Sequence, residues 1–275
     1  MQINKKLKIY SRIVSGSFRA YPGFLIIGAQ KAATTTLFHY LGQHPQVILP
    51  LKKEIHYFDT KYNNGSLWYR AHFPLKNRIS PDQITGEKST DYIFHPLAAE
   101  RIHSSTANPR MIVLLRDPVR RAISHYHHNK RSGKEKRSMK PAFDEEQNML
   151  SKWEPALSGG TIFHQKALKN YHRYAYLKKG LYLEQIKRFH QYFGPDKLLI
   201  ESSENFLADP ASFFQQVCTF LNIDPFFSPT DLAPQNKGRY KLDDETEDMI
   251  SYLKSYYTPH NKALFNYLDR HFPWE

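Results

Sequence analysis

Met111-Ile112-Val113-Leu114-Leu115 is an unbroken apolar run of five, closed by Arg116-Asp117-Pro118. A run of that length without polar alternation fits a strand buried on both faces, as in a parallel sheet covered by helices. Phe24–Ile27 repeats the pattern and ends at Gly28, a strand entering a turn. Gln46–Leu49, bounded by Pro45 and Pro50, Ile84–Lys88 and Lys197–Ile200 supply three more candidate strands. Apolar spacing predicts helices over Thr34–Leu41, Pro96–His103, Pro118 to about His128, Ser212–Leu221, Thr246–Tyr257 and Pro259–Leu268. A longer helical stretch, 166–192, is broken at Gly180. Strands alternating with helices describe an α/β chain, with a central parallel β-sheet flanked by helices. At 275 residues the expected organisation is a basic extension over 1–21 followed by one domain over 22–275.

The 39 Lys and Arg outnumber the 26 Asp and Glu, a net charge of +13. Such a surface suits anionic partners: nucleic acid, an acidic polymer, a membrane surface or a phosphorylated cofactor. No apolar run approaches the roughly 20 residues of a membrane span, and the basic N-terminus lacks the apolar core of a secretory signal. Cys218 is the single cysteine, so an intrachain disulfide and a Cys-based zinc site are both excluded. Lying in the apolar stretch Phe213–Leu221, it reads as a buried core thiol, and a reducing, cytoplasmic setting is expected. Lys130–Lys140 holds six basic residues and one acid and reads as an exposed loop.

Four segments carry candidate chemistry. Gly28-Ala29-Gln30-Lys31-Ala32-Ala33-Thr34-Thr35-Thr36 joins a strand to a helix. Free amides and the positive end of the helix dipole face an anion there, with Lys31 adding a charge. The same residues equally describe an ordinary junction capped by threonine. The spacing of a Walker A loop is absent. Arg116, at the carboxyl end of a central strand, stands where open α/β sheets bind ligands, with Ser124 further along the next helix. Its plain alternative is a surface pair with Asp117, which in turn could imitate the metal-holding aspartate of a kinase. Lys53-Glu54-Ile55-His56-Tyr57-Phe58-Asp59 places Glu54 in an aromatic setting suited to a general base, although glutamates beside lysines are mostly solvated. His56 is a second candidate there, with simple packing as its alternative. Gly86-Glu87-Lys88-Ser89-Thr90 puts Lys88 at a strand exit, where it could neutralise charge in the same cleft.

Taken in order, these segments resemble the PAPS-dependent sulfotransferase superfamily (PAPS, 3′-phosphoadenosine 5′-phosphosulfate). The likeness is to the branch of the heparan sulfate N- and O-sulfotransferases and their bacterial relatives. It extends through Gly180-Leu181-Tyr182 and Tyr256–Trp274, so it spans about residues 22–275. The resemblance implies a P-loop-like fold. Gln30, Lys31, Ala32, Ala33, Thr34 and Thr35 would then bind the 5′-phosphosulfate, Lys31 also stabilising the leaving phosphate. Arg116 and Ser124 would hold the 3′-phosphate, and Lys237, Gly238 and Arg239 would close over it. Glu54 would be the base, with His56 and Lys88 completing the catalytic set. PAP would be the product, no metal would be needed, and the acceptor would be a glycan or small-molecule alcohol, anionic ones included, rather than nucleic acid. Two departures stand out. Ala33 occupies a position where the family's loop carries glycine, and the disulfide-closed hairpin of the heparan sulfate enzymes cannot form here. A small-molecule kinase and a non-catalytic polyanion-binding module are the rival readings.

Overall fold

The computed structural model describes residues 5–105, 108–157, 162–229 and 244–274. Its five strands are β1 (Phe24–Gly28), β2 (Val47–Ile48), β3 (Ile84–Lys88), β4 (Arg110–Leu115) and β5 (Leu198–Ser202). They form one parallel sheet in the order β2-β3-β1-β4-β5. The helices, in chain order, are α1 (Lys5–Ile13), α2 (Thr34–Leu41), α3 (Gly65–Arg70), α4 (Ala98–Ser104), α5 (Pro118–Arg131) and α6 (Met139–Asp144). They continue with α7 (Glu146–Ser151), α8 (Ile162–Tyr174), α9 (Tyr182–His190), α10 (Ser203–Ala208), α11 (Pro210–Leu221) and α12 (Asp244–Leu268).

β1, and β4 beyond its first residue Arg110, are apolar and buried because side chains from helices cover them. Leu37, Phe38 and Leu41 of α2, Ile186 and Phe189 of α9, and Phe214 and Val217 of α11 belong to the same core. Cys218 is fully buried in that core, and burial pushes its thiol up to about 12, as the expected inert thiol requires. A second cluster joins Val119, Ile123 and Tyr126 of α5 to Phe143 of α6 and to Met249, Leu253 and Tyr257 of α12.

Chain order puts the chemistry at one edge. From β1 the chain runs to β2 on one side, and β4, on the other side of β1, leads on to β5. The loops after β1 and β4 therefore diverge above the carboxyl ends of two adjacent strands, leaving a crevice there. Gly28 lets β1 pass into its loop, since a Cβ there would lie 2.3 Å from Ile93 Cγ2.

Several expectations need correction. The two helices expected on either side of Pro259 are one 25-residue helix with the proline inside it. Its apolar stripe of Met249, Leu253, Tyr257 and Leu264 is buried on both sides of the proline, so packing overrides the local break. The stretch 166–192, by contrast, breaks at Gly180 as expected, where a turn over Lys178–Gly180 separates α8 from α9. The basic segment 130–140 is only partly an exposed loop. Lys130 and Arg131 finish α5, Glu135 is buried, and its carboxylate accepts from Arg137 and from the Tyr176 hydroxyl at 3.0 Å. Nor does the N-terminal extension stand apart. Arg19 donates to the Phe73 carbonyl at 2.9 Å, and Arg70 donates to the carbonyls of Ser17 and Arg19.

Candidate active site

The turn after β1 is shaped for an anion. Lys31 (φ 74°) and Ala33 (φ 56°) both take the left-handed region, which curls the loop so that successive amides point inward. Thr34 and Thr35 open α2, and the first amides of a helix have no acceptor within it. The left-handed turn at Ala33 is the physical reason a glycine suits that position. Ala33→Gly is expected to raise the unfolding free energy by about 0.5–1 kcal/mol, read from the denaturant midpoint.

Cations surround this loop. The half-buried Arg116 donates from Nη1 to the Lys31 carbonyl at 3.0 Å, and the Tyr182 hydroxyl donates to the Arg116 carbonyl at 2.8 Å. Burial pulls the Lys31 ammonium below its usual pKa, and the charges of Arg131, Arg116 and Arg121 pull it further. A lysine depressed by neighbouring guanidinium groups is relieved by a bound anion, so the cluster fits a phosphate or sulfate ester. Ser124 is buried on α5. It shares a face with His128 and Arg131, which lie four and seven positions on; the charge of Arg131 acts on Lys31, and that of Lys31 lowers the His128 imidazole.

Lys88, at the end of β3, links the loop to the carboxylate. Its ammonium donates to Thr35 Oγ1 at 3.2 Å and to Glu54 Oε1 at 2.5 Å. Glu54 Oε2 lies 3.6 Å from His56 Nε2, and His56 Nδ1 lies 2.7 Å from Asp59 Oδ2. Burial pushes the Glu54 carboxyl up, but the neighbouring His56 and the charge of Lys88 outweigh it and hold it at about 2. Burial likewise lowers His56, and Asp59 with Glu54 overrides that and raises it to about 10. The carboxylate, imidazolium and carboxylate thus stand in line.

These shifts predict a pH profile for stability. The Glu54 contribution is present above its unfolded pKa of about 4.5 and is lost as pH falls towards 2. That of His56 is complete below about 6.5 and is lost as pH rises towards 10. With the Glu54 side chain 41% exposed, solvent screens the pair and both effects are modest. Denaturant midpoints of the wild type and His56→Gln should converge at the alkaline end.

Beneath this pair lies a second carboxylate that sequence reading did not single out. Glu87 is fully buried on β3. It accepts from Tyr92 Oη at 2.7 Å, Ser89 Oγ at 2.8 Å, Tyr69 Oη at 3.0 Å and the Ile55 amide at 3.4 Å. Two of those hydroxyls in turn accept from the next amides, Ser89 from His56 at 3.1 Å and Tyr92 from Tyr57 at 2.9 Å. One carboxylate therefore fixes three consecutive amides of the segment bearing Glu54 and His56. Lys179 was also overlooked. Its buried ammonium donates to Asp91 Oδ1 at 2.6 Å and to Gln30 Oε1 at 3.1 Å, tying the loop side chain in place.

Of the expected residues, Lys31, Thr35, Arg116, Lys88, Glu54 and His56 are joined by these contacts, and Gln30 is held by Lys179. Ala32, Ala33 and Thr34 shape the loop, whereas Lys237, Gly238 and Arg239 lie outside the described residues. Asp117 is engaged as the cap of α5, accepting from the Val119 amide at 2.9 Å, the helix-start role of its plain alternative.

The model of the sulfotransferase domain matches residues 22–241. The chain belongs to the sulfotransferase family. This sulfotransferase is 27% identical to a membrane-associated sulfotransferase of Dictyostelium discoideum, an alignment covering 95% of the chain and 68% of that protein. It is 30% identical to the mouse bifunctional heparan sulfate N-deacetylase/N-sulfotransferase 4 over 90% of its own length, but spans only 30% of that larger enzyme. A solved sulfotransferase from Alicyclobacillus acidocaldarius superposes with a TM-score of 0.72 at 24% identity, covering 92% of this chain and 98% of that one. The P-loop-like α/β fold expected from the sequence is thereby established, and the enzyme is a PAPS-dependent sulfotransferase.

Proposed function

We propose that this sulfotransferase moves the sulfuryl group to a hydroxyl of a carbohydrate or other alcohol, with Glu54 as general base. The observation that carries the reading is Lys88, whose one ammonium touches both the phosphate loop at Thr35 and the carboxylate Glu54. PAPS supplies an activated S–O bond that breaks as the acceptor oxygen bonds to sulfur, leaving PAP. Lys31 and the amides from Gln30 to Thr35 hold the 5′ end, and Arg116 with Ser124 holds the 3′-phosphate. Glu54 takes the acceptor proton, and His56, backed by Asp59, keeps the carboxylate oriented.

While Lys88 and His56 both hold it, a carboxylate with a pKa of about 2 is a weak base. Lys88 therefore has to turn from Glu54 towards the sulfuryl site as substrates bind, freeing the base at the step that needs it. Loose in-line transfer draws most of its acceleration from such positioning and charge stabilisation. Lysines serve where a kinase would place a metal ion.

The heparan sulfate relatives support a glycan acceptor, and the excess of cations favours an anionic one. A cytoplasmic site of action belongs to the same proposal, resting on the lone reduced thiol. Incubating a panel of glycans, alcohols and amines with ³⁵S-PAPS, with and without EDTA, tests it. Label should pass to a hydroxyl acceptor in both conditions. Transfer only to amines, or only with added metal, would overturn the reading.

A further inference from the structure

Helix α1 shows two different faces. Ile9 is buried, Ile13 is half-buried, and the guanidinium of Arg12 donates to the Phe73 carbonyl, so these residues face the domain. Leu7 is 65% exposed, Tyr10 63% and Val14 90%. Leu7 and Tyr10 stand about 60° apart on the helix, opposite the docked side, and Val14 follows directly after its last residue. Phe18, 70% exposed, continues the apolar surface in the following turn. So does Leu67 of α3, which lines a shared cavity of about 500 Å³ with Tyr10, Ile13 and Trp68.

Single exposed apolar residues are ordinary on a protein surface. Four large ones fall within the twelve residues from Leu7 to Phe18, and such a concentration of exposed apolar side chains is the mark of an interaction surface. Charge decides the partner. Three lysines, Lys5, Lys6 and Lys8, stand among the nine residues of α1, and the helix holds no acid. An apolar stripe in a segment that is basic and free of acids matches an anionic lipid surface. At nine residues, or roughly 14 Å, α1 is far too short to cross a bilayer, and no helix among the described residues is long and apolar enough to do so.

We propose that α1 docks this enzyme in the plane of an anionic phospholipid bilayer, with Leu7, Tyr10, Val14 and Phe18 entering the interface. Contacts link the lipid-facing side of α1 to the segment that bears Glu54. Trp68 lines the cavity beneath Tyr10, Lys61 lies over the Trp68 ring at 5.7 Å, and its ammonium donates to the carbonyl of Ile55, the neighbour of Glu54. Docking is thus independent of the acceptor's identity.

The test is co-sedimentation of the full chain with phosphatidylcholine vesicles, with and without phosphatidylglycerol, across salt concentrations. The wild type should bind the phosphatidylglycerol vesicles, with affinity falling as salt rises. Leu7→Glu combined with Val14→Glu should bind about tenfold or more weakly. The milder Leu7→Ser with Val14→Ser should lie between. All three proteins should give the same circular dichroism melt and the same turnover on a soluble acceptor. Equal binding by wild type and variants would overturn the proposal, as would no vesicle binding at all. A lipid-free dimer that the Glu variant dissolves would assign the patch to a second copy of the chain instead.

Discussion

Glu54→Gln is expected to lower turnover by about 10²–10⁴-fold, the usual contribution of a positioned general base, while PAP binding stays close to that of the wild type. The amide keeps the size of the side chain but can neither take a proton nor balance the Lys88 charge. Single-turnover rates and equilibrium PAP titration separate the two effects, and a variant with unchanged turnover would remove Glu54 from the chemistry. The pH profile adds a finer test. In the free enzyme Lys88 and His56 hold the carboxyl at about 2, so the acid limb of kcat/KM should lie very low. Once Lys88 has turned away, Glu54 titrates higher, and the acid limb of kcat should move up with it.

The second large effect is expected at Glu87, which touches no reacting atom. Glu87→Ala leaves the hydroxyls of Tyr69, Tyr92 and Ser89 and the Ile55 amide without their acceptor in a fully buried site. Removing one partner of a buried charged network commonly costs about 3–5 kcal/mol, so the denaturant midpoint should drop steeply. Under conditions where the variant remains folded, kcat should fall while PAP affinity holds. The three amides freed by the substitution orient Glu54 and His56, whereas the phosphate loop is set by β1 and β4. Glu87→Gln keeps one acceptor oxygen and should fall between, which separates positioning from collapse of the fold.

Legibility in the sequence followed the range of the interactions involved. β1, β3, β4, α2 and the start of α5 could be read because each is decided locally, by an apolar run and by its flanking glycine or proline. α12 could not, because its continuity through Pro259 depends on buried contacts on both sides that no local rule contains. The six-residue α6 and α7 are too short to carry a periodic signal. In the site, Lys31, Glu54, Lys88 and Arg116 stood out by their places in ordered motifs. Glu87 offered a signal that went unused, a carboxylate in the middle of a buried strand. Lys179 offered none, since its partners Gln30 and Asp91 lie 149 and 88 residues away in the chain. Asp59, three positions after His56, was in view within its motif but had no role until the 2.7 Å contact gave it one.

Cys218, lodged against the sheet with its thiol pushed up to about 12, gives the enzyme a built-in clock. A thiolate is the species that reacts with alkylating reagents, and a fully buried thiol at that pKa yields almost none. Labelling therefore waits for α11 to lift from the core. With one sulfhydryl in the chain, a single mass shift counts each molecule that has opened. Slower labelling when PAP is present would time how far the nucleotide fastens the whole sheet.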